Sequence, residues 1–225
     1  MSVLGQTERD LELIIVIDGA TDDSYEVAVR LEEADDRVSV WRNRVNRGLA
    51  VSQNIGITAA QSPWVMKVDA DDYIAPTYVE DILLAAEQDP RANVIFSPCQ
   101  HVGQRTDVYR YPLYDARRVA DAFMIAGCAA VKRSVWEAVG GLDETMRCAE
   151  DWDFYVRAER AVGLVPHQLK EPRWCYRVHD GPRMSNRGRS MLGELQAYWR
   201  GHTKESVLAR SRTWGAWCGA KGLAA

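Results

Sequence analysis

Apolar runs such as Leu13 to Ile17 stop far short of the roughly 20 residues a membrane-spanning helix needs. No charged-then-apolar leader opens the chain either, so a cytoplasmic protein without a transmembrane segment is expected. Five cysteines (Cys99, Cys128, Cys148, Cys175, Cys218) form no C-x-x-C pair, which argues against a disulfide framework or a thiolate zinc site and for reduced structural thiols. Positive charge has no surplus. Lys and Arg number 28 against 32 Asp and Glu, the net charge is −4, and no basic stripe exists, so no nucleic-acid partner is expected. Internal repeats, low-complexity tracts and the glycine-rich basic loop of a nucleotidyltransferase are missing as well.

What is present suits one sizeable core: 225 residues with 47% hydrophobic content. Leu11 to Ile17 is short, apolar and β-branched, and it stops at Asp18-Gly19, so it reads as a fully buried parallel strand. Thr21 to Ser24 then caps a helix with Val27, Leu31 and Ala34 on one face, followed by a strand at Val38 to Trp41. The polar loop Asn43 to Gly48 leads into a helix with Val51, Ile55 and Ala59 in register, ended by Ser62-Pro63. Trp64 to Val68 is a third strand. Pro76 opens a helix carrying Val79, Ile82, Leu83 and Ala86, and Val94 to Ser97 is a fourth strand. This alternation predicts an α/β fold, a mainly parallel sheet covered by helices on both faces, with ligands beyond the carboxyl ends of the strands. From Ala126 the pattern loosens, with helices near Ser134 to Val139 and from Glu150-Asp151. After Ser190, Leu192, Leu195, Tyr198 and Trp199 share a face of a helical tail that packs on the domain or on a partner, with Trp214 and Trp217 near its end.

Three acidic or imidazole features stand at turns and helix starts. Asp69 and Asp71, one residue apart after a strand, would present both carboxylates to one side, where a hard divalent cation and a diphosphate could meet; helix capping explains such a pair equally. Glu150 and Asp151 open a helix with Trp152, Phe154 and Tyr155, which suits either the macrodipole or a general base beside a dry pocket. His179 lies in a polar stretch, YRVHDGPRMSN, as a solvated side chain or a metal ligand.

Six ordered segments carry a resemblance across residues 2 to 186: LELIIVIDGATDD, NRGLAVSQNIGI, WVMKVDADDYIAP, AAVKRSVWEAVGGLDE, AEDWDFYVRA and CYRVHDGPRMS. Together they resemble the family 2 glycosyltransferases of the type A fold. The resemblance implies an inverting transfer of sugar from a nucleotide-diphosphate donor to a hydroxyl of a glycan or other acceptor. Asp151 would be the general base, Asp18 would lie beside the nucleotide base, and Arg47 and Glu150 would stand at the donor site, although an exposed arginine serves as well for Arg47. Asp69 would contact the ribose or the metal, and Asp71 and His179 would hold Mn2+ or Mg2+. A UDP-sugar is the default donor. Residues 1–189 would form the transferase-like domain, with a nucleotide-binding half (1–100) and an acceptor-side half (101–189), and 190–225 a helical tail open to oligomer formation.

Two departures from the family's pattern stand out. The chain begins inside the helix that normally follows a first, central strand, so that strand is expected to be lacking; and Ile17 replaces a frequent acid before Asp18. They keep an alternative open, a non-catalytic nucleotide-binding or scaffold relative with an incomplete donor site.

Overall fold

The structure, a computed structural model, describes residues 2–146, 148–179, 192–201, 203, 205 and 206. Strand and helix alternate through the first half: β1 (Leu13–Asp18), α1 (Ser24–Ala34), β2 (Val38–Asn43), α2 (Leu49–Ala59), β3 (Trp64–Met66), β4 (Tyr73–Ile74), α3 (Tyr78–Gln88) and β5 (Val94–Phe96). Then come β6 (Cys99–Gly103), β7 (Val108–Tyr109), β8 (Ala130–Lys132), α4 (Arg133–Val139), α5 (Glu150–Val162), β9 (Pro166–Gln168), β10 (Trp174–Val178) and α6 (Leu192–Arg200). The α/β architecture expected from the alternation holds.

The strands form three sheets. β1 and β2 pair in parallel from Leu13 opposite Val38 to Asp18 opposite Asn43. A second sheet runs β3-β8-β5-β9, in which β8 is antiparallel to both neighbours and β9 parallel to β5. The third runs β4-β10-β6-β7, with β10 parallel to β6. Since β8 wedges between two strands of the first half, that half shares its core with the described residues that follow it. Pairing therefore mixes directions where the later strands enter.

β1 is not fully buried, as its composition suggested: all six residues are only partly covered. Among the described residues it has one strand neighbour, and α2 covers one face, with Val16 and Ile14 side chains 3.4 and 3.9 Å from where a Cβ on Gly56 would stand. Its start is tied to that of β3, because Glu12 accepts the Gln61 and Ser62 amides, each at 2.8 Å. On α1 the buried residue is Ala28, and Val27 is exposed. The helix starts where Asp22 accepts the Ser24 amide at 3.1 Å.

The core lies around β5, β8 and α5. α5 is covered nearly all round, with Phe154, Tyr155, Val156, Ala158 and Ala161 buried and an internal ion pair between Asp153 and Arg157 at 2.7 Å. Arg157 also donates to the Val139 carbonyl at 3.0 Å, so α5 and α4 are joined by polar as well as apolar contacts. The tail helix α6 packs on the domain: Trp199 is fully buried, 4.7 Å from Trp152 by ring centroids, and Arg200 pairs with Asp121. Trp214, Trp217 and Cys218 lie outside the described residues. No described helix is long and apolar enough to cross a membrane.

Candidate functional site

The turn after β3 carries most of the expected chemistry. β3 ends at Met66, and Asp69 to Asp72 form a turn closed by the Asp72 amide donating to the Asp69 carbonyl at 3.0 Å. Strand alternation therefore does not govern these carboxylates, and each has a side-chain partner of its own. Asp69 Oδ2 accepts from Lys67 Nζ at 2.9 Å. Asp71 Oδ2 stands 2.6 Å from His179 Nε2, a contact across 108 residues of sequence, with both side chains half-exposed. Asp72 is an anchor: it accepts Trp174 Nε1 at 2.9 Å and the Arg177 amide at 2.8 Å, fixing β10 beside the turn. Burial pushes its carboxyl up, against the lowering effect of those two donors.

Asp151 and Glu150 begin α5 after Ala149, whose φ of 57° puts a non-glycine residue in the left-handed region. The chain thus turns sharply just ahead of the two acids. Burial pushes both carboxyls up, and their mutual repulsion adds to the rise at Glu150; the Lys67 ammonium moderates both. For Lys67 the order is reversed. Burial alone would depress it, yet Asp69 and Asp151 overcome that and hold the ammonium charged. Asp151 Oδ1 accepts the Trp152 amide at 2.8 Å, and Oδ2 lies 3.7 Å from the place a Cβ on Gly127 would occupy. The turn bearing Gly127 is held on both sides, since Tyr78 and Tyr155 hydroxyls donate to the Cys128 and Ala126 carbonyls at 2.8 and 3.3 Å.

Asp18 and Arg47 meet at the carboxyl end of β1. Asp18 accepts Asn43 Nδ2 at 2.8 Å, the Arg47 amide at 2.9 Å and the Gly48 amide at 2.8 Å, so both its oxygens latch the loop before α2. Burial pushes its carboxyl up, but these donors overcome it and hold it below its ordinary value. Arg47 is exposed and reaches Asp18 through its backbone. Gly19 is needed for the loop to pass: at φ 68°, a Cβ there would fall 2.2 Å from the Asn46 amide nitrogen.

The structure thus brings Asp69, Glu150 and Asp151 together around Lys67, sets Asp71 against His179, and keeps Asp18 and Arg47 in their own loop. Lys67, Asp72 and Gly127 were missed from sequence. Lys67 stands two residues before Asp69 and Asp72 directly after Asp71, so their spacing was a readable signal; Gly127 had none. Among the described residues no third histidine, cysteine or carboxylate joins Asp71 and His179 as a metal cluster. One carboxylate and one imidazole still match a hard or borderline divalent cation that takes its remaining ligands from phosphate oxygens and water.

A sequence model described as glycosyl transferase family 2 matches residues 1–140. An uncharacterized glycosyltransferase of Haemophilus influenzae is 30% identical over 180 residues, which are 76% of this chain and 60% of that protein. The chain therefore spans well under the full length of this relative. Among solved structures, S. aureus TarS 1–349 in complex with UDP-GlcNAc superposes with a TM-score of 0.72 at 16% identity, covering 95% of this chain and 66% of that one. The mannosyltransferase PcManGT from Pyrobaculum calidifontis, in complex with GDP-Man and Mn2+, gives 0.58 at 18% identity, covering 97% and 69%. At such identities the likeness is one of fold.

Proposed function

The chain belongs to glycosyl transferase family 2, and from that premise we propose that it transfers a sugar from a nucleotide-diphosphate donor to an acceptor hydroxyl with inversion at the anomeric carbon. The observation that carries this reading is the Asp69–Asp72 turn, whose Asp69 meets Lys67, a cation shared with Asp151, and whose Asp71 meets His179. A base and a pair of cation ligands thus flank one short segment.

Asp151 takes the proton from the acceptor hydroxyl. That oxygen bonds to the anomeric carbon from the face opposite the diphosphate, while the bond between that carbon and the phosphate oxygen breaks and its electron pair leaves with the diphosphate. Burial raises the Asp151 carboxyl, which makes it a better proton acceptor than a solvated aspartate, and the Lys67 ammonium moderates that rise. Asp71 and His179 would hold a divalent cation, Mn2+ or Mg2+, which would supply positive charge against the departing diphosphate. Asp69, occupied by Lys67, faces the donor ribose or sugar, and Glu150 supports the same pocket. Asp18 acts by shaping the Arg47–Gly48 loop at the nucleotide. The complexes of the two similar folds, with UDP-GlcNAc and with GDP-Man and Mn2+, support a nucleotide-sugar donor, and a UDP-sugar is our first choice. Residues 1–189 would carry the transfer and 190–225 the tail. Free Cys99, Cys128, Cys148 and Cys175 suit a reducing, cytoplasmic setting.

A screen of nucleotide-sugars for Mn2+-dependent hydrolysis tests this without knowledge of the acceptor. Hydrolysis of at least one donor, lost on chelation, is expected, and Asp71→Ala should weaken metal-dependent UDP binding at least tenfold by calorimetry. The full engagement of Asp18 by its own loop favours the rival reading, a non-catalytic relative. Failure of every donor to bind or hydrolyse with Mn2+ would establish that rival.

A further inference from the structure

Aromatic rings from several segments form an arc that starts at Trp174, beside the Asp151 carboxylate, and ends at Trp152, the next residue in the chain. Trp174 and Tyr176 project from the same face of β10, their centroids 5.5 Å apart, and the parallel register sets His101 of β6 opposite Tyr176 at 6.1 Å. Tyr109 on β7 continues the row 6.3 Å from His101. Tyr111, Phe123 and Trp152 follow in turn at 5.0, 6.2 and 5.7 Å. Trp152 is the chain neighbour of Asp151. At the other end, Trp174 Cη2 and Asp151 Oδ2 each lie 3.7 Å from the Cβ position of Gly127.

The arc is not simply core. Trp174 and Tyr111 are buried, but Tyr109 is 41% exposed, and His101, Tyr176, Phe123 and Trp152 are partly open. A row of partly wet rings running up to a carboxylate is the composition of a ligand groove: apolar faces with a few convergent polar groups. The carboxylate decides the occupant. A proton acceptor at the head of the row calls for a molecule bearing hydroxyls, and the rings call for flat patches of C–H. A pyranose has both, with hydroxyls around its edge and an apolar face of axial C–H bonds that stacks on an aromatic face.

We infer that Tyr109, His101, Tyr176 and Phe123 form a stacking platform for a saccharide acceptor, which leads one of its hydroxyls to Asp151. The inference rests on the transferase reading above and specifies its acceptor. Tyr109 is the residue to change, because it is the most open ring of the row and its removal leaves the core intact.

The test uses the full chain without donor or metal. Saturation-transfer NMR is run with the methyl glycosides of glucose, galactose, mannose and N-acetylglucosamine as probes. At least one should give transfer to its ring C–H protons, and Tyr109→Ala should weaken it at least tenfold. Tyr109→Phe should restore the signal, and Leu113→Ala, altering a side chain 90% exposed and outside the row, should leave it unchanged. Silence from all four glycosides, or an undiminished signal in Tyr109→Ala, overturns the platform. UDP titration with Mn2+ on the same proteins separates the two ideas. Loss of glycoside signal with unchanged UDP affinity supports the platform, whereas absent UDP binding in the unaltered protein counts against the transferase and leaves the glycoside result to decide the platform.

Discussion

Replacing Asp18 by alanine separates a latch from a ligand contact. The change strips the acceptor from three donors: Asn43 Nδ2, the Gly48 amide and the Arg47 amide. The Arg47 amide is exposed and passes to water at little cost. The other two are partly buried, and leaving such donors unpaired costs about 1–3 kcal/mol each, so a loss of about 3 kcal/mol is expected. For a domain of this size that is roughly 6–12 °C in Tm by circular dichroism. The pH dependence has a definite sign. The native carboxyl lies below its ordinary 3.8, so its contribution is complete above that value and is lost as pH falls through the native value. The gap between wild type and variant should therefore narrow in acid. A Tm within about 2 °C of wild type at neutral pH, or a gap that stays constant below pH 3.8, would refute the latch.

Asp151→Asn should cut transfer by about 100-fold or more while UDP binding with Mn2+ stays unchanged in calorimetry. With the aspartate in place, burial raises its carboxyl, so kcat/KM should climb with pH along an acid limb centred above the ordinary 3.8; a limb at or below that value removes the base. Gly127→Ala meets only ordinary 3.7 Å contacts, so Tm should move little, yet its methyl lies against the Asp151 carboxylate and should lower activity at least tenfold. Trp199→Ala should cost about 3–5 kcal/mol in denaturant unfolding, because the indole is wholly enclosed against Trp152.

The strand-helix alternation of residues 13 to 96 was legible because composition and punctuation agree there: β-branched runs stop at Asp-Gly or Pro, and the helices keep a 3.6-residue period. The mixed pairing was not, since β8 is three residues long and enters the sheet from 64 residues beyond β3 in the chain, counting from Met66 to Ala130. Nothing local encodes that partner. In the site, Asp71 and His179 were legible as candidates, and the family resemblance had set them at one ion, although nothing local in the sequence encodes their contact. The period-two argument for Asp69 and Asp71 reached past the last strand residue, Met66, so their placement comes from the turn instead. Lys67 lay on a segment read only for its apolar content, yet a cation two residues ahead of an acid was the visible sign of its contact with Asp69.

β1 has consequences for handling the protein in concentrated solution. Its edge away from β2, without a strand partner among the described residues, offers amides and carbonyls to any extended chain, and Leu13 to Ile17 add half-covered apolar side chains beside them. Charged residues that usually police such edges flank it, but Glu12 is occupied by the Gln61 and Ser62 amides and Asp18 by its loop, so little free charge guards the rim. Colloidal repulsion must then come from the molecule's overall charge, which vanishes near pH 5.6. Preparations kept well above that pH should stay clear, and those drifting toward it should turn turbid by edge-to-edge growth.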